Sequence, residues 1–361
     1  RLAFAVAAET RGVIVAGWGA DADPETVERF AEAAQWPVLA DPISGLRQGR
    51  HAISTYDALL RSRAVAEGLR PDVVLRLGAP LTGKVATAWL DPSVRQILVD
   101  PDGAWLDPQR ASAERMAADP TALLDSVARL GPARSQSFWM ASWLRAEAAA
   151  RRDLDRLLDS WAEPFEGRVA RDLVVGLPDG ATLVVGSSMP VRDVESFARP
   201  RPGLRFLSNR GVNGIDGFVS TVLGVAASAP GGPVVALCGD LTFLHDAGGL
   251  LGAARRGGAA TFVVLDNDGG GIFNFLPQAK AGLKAHFETL FGTPQGVDLA
   301  ELAAVHGVAC EHVTKADDLV PAVERAMSAG GVRLVVVATD RVDNVARHRQ
   351  AWEAVSIPGS S

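Results

Sequence analysis

Short, unbroken apolar runs recur along this chain, and several stop abruptly at glycine, serine, aspartate or asparagine. Early in the sequence they are Gly12-Val-Ile-Val-Ala-Gly17, Val38-Leu-Ala40, Val73-Val-Leu-Arg-Leu77 and Gln96-Ile-Leu-Val-Asp100. Later come Ala181-Thr-Leu-Val-Val-Gly186, Val234-Val-Ala-Leu-Cys238, Thr261-Phe-Val-Val-Leu265 and Arg333-Leu-Val-Val-Val-Ala338. A run without polar alternation suits a strand covered on both faces, the condition of strands in a parallel sheet. The intervals leave room for helices, which parallel neighbours need as crossovers. Pro24 to Ala34 reads as one such helix, entered from Asp-Pro. The predicted fold class is therefore α/β, with two Rossmann-like, doubly wound parallel-sheet domains. A boundary near Gly131-Pro132 gives one domain over residues 1–134 and another over 135–361. The second opens with an amphipathic stretch from Ser135 to Leu158, a linker helix free to pack on either domain.

Composition removes several classes of function. The 361 residues suffice for two cores, and a net charge of −6 without a basic stripe argues against nucleic acid as a partner. No apolar run approaches the roughly 20 residues of a membrane span, so no integral membrane segment is expected and the localisation read is cytoplasmic. Cys238 and Cys310 fit neither a disulfide framework nor a zinc site, and both are expected in the core. Gly17-Trp-Gly19 lacks the third glycine of a dinucleotide fingerprint. Ser188 and Asp216 could be cast in a hydrolase triad, but Gly-x-Ser-x-Gly is absent. The chain starts Arg1-Leu-Ala-Phe without an initiator Met, which reads as the interior of a longer protein.

The chemistry gathers at two strand ends. Cys238-Gly-Asp-Leu-Thr242 closes one run and opens a helix, and Leu265-Asp-Asn-Asp-Gly-Gly270 closes the next. Ligands in open α/β sheets bind beyond the carboxyl ends of strands. Asp240 and Asn267, 27 residues apart, would offer a carboxylate and an amide oxygen there. With a backbone carbonyl from the glycine-rich turn they make a half-filled, oxygen-only shell, which suits Mg²⁺ carrying phosphates and water. The helix following Asp240 would direct its first N–H groups at the same place, and Gly269, Gly270 and Gly271 would let backbone approach a diphosphate. Either motif alone is an ordinary strand-to-helix turn with a cap; two of them, one βαβ unit apart, favour the metal site.

Gly-Asp followed after 27 residues by Asn resembles the signature of thiamine-diphosphate enzymes. Gly186-Ser-Ser-Met-Pro-Val-Arg192-Asp, Ser208-Asn-Arg210-Gly-Val-Asn-Gly-Ile215-Asp-Gly217, Asn267-Asp-Gly-Gly-Gly-Ile272-Phe273 and Leu81-Thr-Gly-Lys84 are similar to segments of the MenD family. Those synthases make 2-succinyl-5-enolpyruvyl-6-hydroxy-3-cyclohexene-1-carboxylate in menaquinone biosynthesis. The resemblance runs through essentially the whole chain, covering a middle domain and a diphosphate-binding domain. It implies thiamine diphosphate and Mg²⁺ (or Mn²⁺) as cofactors. It also implies decarboxylation of 2-oxoglutarate, addition of the succinyl-semialdehyde carbanion to isochorismate, and a homodimer or homotetramer.

Carried over by residue, the resemblance makes Asp240, Asn267 and the Gly269 carbonyl metal ligands. Ser187, Gly214, Ile215, Gly239, Leu241, Thr242, Gly270 and Ile272 would border the cofactor. Lys84, Ser188, Arg192, Arg210, Phe273 and Leu276 would meet substrate, the cations holding carboxylates and the apolar residues forming a dry wall. Where the family has a second basic residue after Lys84, this sequence has Val85, so one anchor is either missing or supplied elsewhere, with Arg47 and Arg76 as the candidates. Asp266 and Asp268 stand where asparagines are expected and add two carboxylates. The glutamate that activates the cofactor belongs, in the family, to a preceding pyrimidine-binding domain. No catalytic residue is therefore expected in this chain, and the chain alone is expected to be inactive. Two other readings remain open, another thiamine-dependent 2-oxoacid decarboxylase or carboligase and a non-catalytic binding or assembly module.

Overall fold

The structure, a computed structural model, describes residues 2–90, 92–104, 106–130, 137–228, 231–253, 258–279 and 284–355. Its contacts divide the chain into two units: Arg1–Arg156 with Arg199–Pro202 and Trp352–Ser361, and Leu157–Ala198 with Gly203–Ala351. The predicted boundary at Gly131-Pro132 and the Ser135 start of the linker helix lie outside the described residues.

The first unit holds a five-stranded sheet in the order β2-β1-β3-β4-β5. Its strands are β1 (Gly12–Ala16), β2 (Val38–Ala40), β3 (Val73–Leu77), β4 (Arg95–Val99) and β5 (Glu114–Met116), all paired in parallel. Successive side chains feed opposite faces. Ile14, Ala16, Leu75 and Leu77 join one core with Phe30 and Trp36. Val13, Val15, Leu39 and Val74 join the other with Trp139 and Trp143. Each fully buried aliphatic or aromatic side chain contributes about 1.5–3 kcal/mol. The helix Pro24–Ala34 forms where expected, with Asp23 accepting from the Thr26 N–H at 2.8 Å as its N-cap. The helix Phe138–Asp159 docks on this sheet, its Trp139 Nε1 donating to the Gly12 carbonyl at 2.8 Å.

The second unit holds a six-stranded, wholly parallel sheet in the order β10-β11-β9-β8-β6-β7. The strands are β6 (Thr182–Val185), β7 (Arg205–Ser208), β8 (Val234–Gly239), β9 (Ala260–Asp266), β10 (Ala309–Val313) and β11 (Val332–Ala338). The edge strands β5 and β10 were not legible as apolar runs, because an edge is partly wetted and keeps polar residues such as Glu114, Arg115, Glu311 and His312. Cys238 is buried in β8 as expected, whereas Cys310 is only half-buried, since its strand is that edge. From β6 the chain runs outward to β7 and then returns past β6 to β8. That reversal opens a crevice at the carboxyl ends of β6 and β8. Among the described residues, no helix is long and apolar enough to cross a membrane.

Candidate functional site

The crevice is a cleft of about 420 Å³ lined wholly by the second unit. Three strand ends build it: Ser187 and Ser188 follow β6, Gly239 ends β8 with Asp240 next in the chain, and Asn267 and Gly269 to Gly271 follow β9. The helix Asp240–His245 starts on Asp240 itself, with Gly239 as its cap. Asp240 is buried; its Oδ1 accepts from the Leu241 N–H and its Oδ2 from the Gly269 N–H, both at 2.7 Å. Burial pushes its carboxyl up to about 6. The two N–H donors oppose that rise, and the Asp266 and Asp268 charges add to it. The two extra carboxylates do not line the cleft. Asp268 instead accepts from the Gln295 and Gly296 N–H groups, each at 3.0 Å, tying down a neighbouring turn.

Asn267 donates its Nδ2 to Glu166 Oε1 at 2.7 Å, while its buried Oδ1 has no hydrogen-bond partner among the described residues. A buried amide oxygen left unpaired is costly unless something electropositive meets it. Together with the Asp240 carboxylate it forms a donor set of oxygens only, which fits a hard cation such as Mg²⁺. The Gly269 carbonyl accepts locally from the Gly271 N–H at 2.9 Å and keeps a second lone pair. Gly269 has φ +143°, and a Cβ there would lie 2.1 Å from the Gly292 carbonyl oxygen, so this turn requires glycine.

The cleft also carries two cations. Arg192 lies on the helix Met189–Phe197 and donates to the Ser188 carbonyl at 2.6 Å; Arg210 follows β7 and is exposed. Both line the cleft, as do Ile215, Ile272 and Phe273. Phe273 packs on Phe291, ring centroids 5.5 Å apart. Ser188 holds φ +74°, ψ −130°, a region that residues other than glycine rarely adopt.

A family model described as "Thiamine pyrophosphate enzyme, C-terminal TPP binding domain" matches residues 188–337, and one described as "Middle domain of thiamine pyrophosphate" matches residues 3–185. Curated relatives named 2-succinyl-5-enolpyruvyl-6-hydroxy-3-cyclohexene-1-carboxylate synthase are similar over nearly the whole chain. The one from Geobacillus thermodenitrificans is 43% identical, covering 97% of this chain and 60% of the relative. Those from Geobacillus kaustophilus and Chloroflexus aurantiacus are each 42% identical, over 97% and 98% of this chain and 61% and 62% of the relatives. The chain belongs to the MenD family of thiamine pyrophosphate enzymes. It spans about 60% of the length of the curated relatives it matches.

Of the residues that the MenD resemblance singled out, the cleft brings together Ser187, Ser188, Arg192, Arg210, Ile215, Gly239, Asp240, Leu241, Thr242, Asn267, Gly269, Gly270, Ile272 and Phe273. Three others are not among its lining. Gly214 passes so close to Ser187 that a Cβ would lie 2.0 Å from the Ser187 Oγ. Leu276 caps the short turn Gly271–Phe275, and Lys84 is exposed at the start of the helix Lys84–Trp89 in the first unit. The suggested substitutes for the basic residue missing at Val85 are both engaged inside the first unit. Arg76 is buried against Asp107 at 2.7 Å and the Leu106 carbonyl at 2.9 Å, and Arg47 donates to the Ser54 carbonyl at 2.7 Å. His245 pairs with Asp216 at 3.2 Å, both half-exposed.

Sequence reasoning missed Glu166. It lines the cleft, is buried, and opens the helix Glu166–Gly176, far in sequence from both strand-end motifs. Burial, followed by the charge of Asp193, pushes its carboxyl up to about 7, against the pull of Asn267, His348 and Thr339. It ends no apolar run and belongs to no spaced motif, so only the folded chain reveals it.

Proposed function

We propose that this chain forms the diphosphate- and metal-binding part of a MenD-type synthase. The reaction joins the four-carbon unit left by decarboxylation of 2-oxoglutarate to isochorismate, in menaquinone biosynthesis. The observation that carries the reading is the pairing of Asp240 with the unpartnered Asn267 Oδ1 at adjacent strand ends, facing a cleft that also holds Arg192 and Arg210. The family membership and the relatives' names support it.

Bound thiamine diphosphate would supply the electron sink for loss of CO₂. Asp240, Asn267 and the Gly269 carbonyl would hold Mg²⁺ or Mn²⁺, and the glycine backbone beside them would accept the diphosphate at close range. Arg192 and Arg210 would receive the carboxylates of the two substrates, where planar guanidinium groups give paired hydrogen bonds. Ile215, Ile272 and Phe273 would keep water from the reacting carbons, strengthening the charged contacts around them. The carboxyl groups lining the cleft among the described residues are Asp240 and Glu166, one assigned here to hold the metal and one engaged by Asn267. We assign neither to protonating the cofactor's aminopyrimidine, and this chain by itself is expected to turn over no substrate. The arginine pair favours the synthase over other thiamine-dependent 2-oxoacid decarboxylases, which share the metal ligands and differ at these cations.

Calorimetric titration of thiamine diphosphate with Mg²⁺ into the chain and its Asp240→Ala variant tests the cofactor site. Binding that the variant loses supports it, whereas equal affinity in both would sink it. Consumption of 2-oxoglutarate in the presence of isochorismate, followed in the complete enzyme with Arg210→Ala, tests the substrate assignment. An unchanged KM for both substrates counts against it.

A further inference from the structure

We propose that Glu166 is a positioning residue, which locks the Asn267 side-chain amide with its oxygen turned toward the cation site. The inference rests on the metal site proposed above, but its geometric core does not need the metal. Asn267 can present either end of its amide to the cleft, because its oxygen and nitrogen are nearly isosteric and only partners choose between them. Glu166 makes the choice. Its Oε1 accepts from Asn267 Nδ2 at 2.7 Å and from Thr339 Oγ1 at 3.1 Å. Because Oε1 also takes the Thr339 hydroxyl hydrogen it stands as an acceptor, so turning the amide over would set Oδ1 against it and aim an N–H₂ group at the cation. Both contacts would be repulsive, and the observed orientation avoids both.

The supports of Glu166 are themselves built into the sheet. Thr339 follows β11, and its N–H donates to the Asp266 carbonyl at 2.9 Å, immediately before Asn267. Glu166 opens its helix and is 1% exposed, so no water competes for the carboxylate from that side. Three chain segments thus converge to fix one rotatable group. Second-layer partners of this kind orient metal ligands, and their loss typically weakens metal affinity tenfold to a hundredfold.

Charge and reach make opposite predictions for two variants. Glu166→Gln keeps the length of the side chain and one oxygen that can accept from both Asn267 Nδ2 and Thr339 Oγ1, as Oε1 does. Glu166→Asp keeps the charge but falls short by one C–C bond of about 1.5 Å, breaking the contact with Nδ2. If Glu166 acts by orienting Asn267, Mn²⁺ affinity in the presence of thiamine diphosphate stays within about threefold of wild type in Glu166→Gln. It falls tenfold or more in Glu166→Asp and Glu166→Ala. If Glu166 merely adds negative charge near the cation, the order reverses, with Glu166→Asp close to wild type and Glu166→Gln weak.

Free Mn²⁺ is counted by electron paramagnetic resonance in the three variants, with Asn267→Ala as reference and melting curves as the check on folding. The Glu166→Gln and Glu166→Asp variants decide the question even where Glu166→Ala fails to fold. A second readout uses protein without metal or cofactor: the ¹⁵N-labelled Asn267 side-chain amide, identified by its loss in Asn267→Ala. Its protons are expected to exchange slowly in wild type and Glu166→Gln, and at least tenfold faster in Glu166→Asp. Unchanged exchange in Glu166→Asp, or tighter Mn²⁺ binding by Glu166→Asp than by Glu166→Gln, overturns the inference. Failure of the metal site itself shows separately, as equal Mn²⁺ affinity in wild type and Asn267→Ala.

Discussion

Ser188 and Gly269 face the same cleft with opposite backbone solutions. Ser188 is a side-chain-bearing residue held at φ +74°, where glycine would be at ease. Strain of this kind costs about 1–3 kcal/mol and persists where the surroundings impose it. Ser188→Gly is therefore expected to raise thermal stability by about 1 kcal/mol, after allowing for glycine's extra freedom when unfolded. A melting temperature at or below that of wild type would show the backbone there to be relaxed. Gly269 is the reverse case, a left-handed residue whose missing Cβ makes room for the Gly292 carbonyl. Gly269→Ala is expected to destabilise the protein by about 2 kcal/mol or more, measured by denaturant midpoint. The need for glycine after Asn267 was legible in the sequence as a run of three. The strain at Ser188 was not, because serine after a strand is commonplace and only the dihedral distinguishes this one.

Between elements, hydrogen bonds from single side chains hold the loops in register. Ser187 Oγ donates to the Asn209 carbonyl at 2.7 Å, tying the end of β6 to the loop that carries Arg210 and Ile215. Ser187→Ala removes that tie, at about 1 kcal/mol, and is expected to speed amide exchange across residues 209–217 while leaving β6 unchanged. Equal exchange in both proteins would show the loop to be held by other contacts. In the first sheet, Arg76 of β3 is buried against Asp107. Burial pushes the Asp107 carboxyl up, but hydrogen bonds from Arg76 and Ser112 outweigh it and bring the value down to about 2. A carboxyl depressed in the folded state stabilises the fold above its unfolded value of 3.8, and that contribution fades as pH falls toward about 2. Asp107→Asn should therefore lose stability at neutral pH and show a flatter acid limb in melting curves taken between pH 4 and about 2. A variant with the wild-type acid slope would refute the pairing. The sequence marked Arg76 only as a cation inside an apolar run; its use was decided by a loop thirty residues on that folds back over the strand.

For the whole molecule, the predicted site draws on the second sheet, so ligand should stabilise that unit by mass action. At a hundredfold excess over Kd, thiamine diphosphate with Mg²⁺ is expected to add about 2.7 kcal/mol. Amide protection should rise at the ends of β6, β8 and β9 and not along β1 to β4; protection spread evenly over both sheets would place the ligand elsewhere. The sequence by itself determined the two parallel sheets, because strands buried on both faces must be continuously apolar and need helical crossovers. It also pointed to the candidate site, since polar residues that interrupt such runs fall at the carboxyl edge of a sheet. Asp240, Asn267 and the glycines after it were legible for that reason. Tertiary structure alone decided the rest. It sent the helix Phe138–Asp159 onto the first sheet through Trp139 and Trp143, a choice that amphipathic periodicity leaves open. It engaged Arg47 and Arg76 internally, and it brought Glu166 to Asn267 across 101 residues of chain. Local sequence records which residues must be buried or must turn. It carries no record of which distant group will meet them, since that partner is chosen by the packing of whole elements.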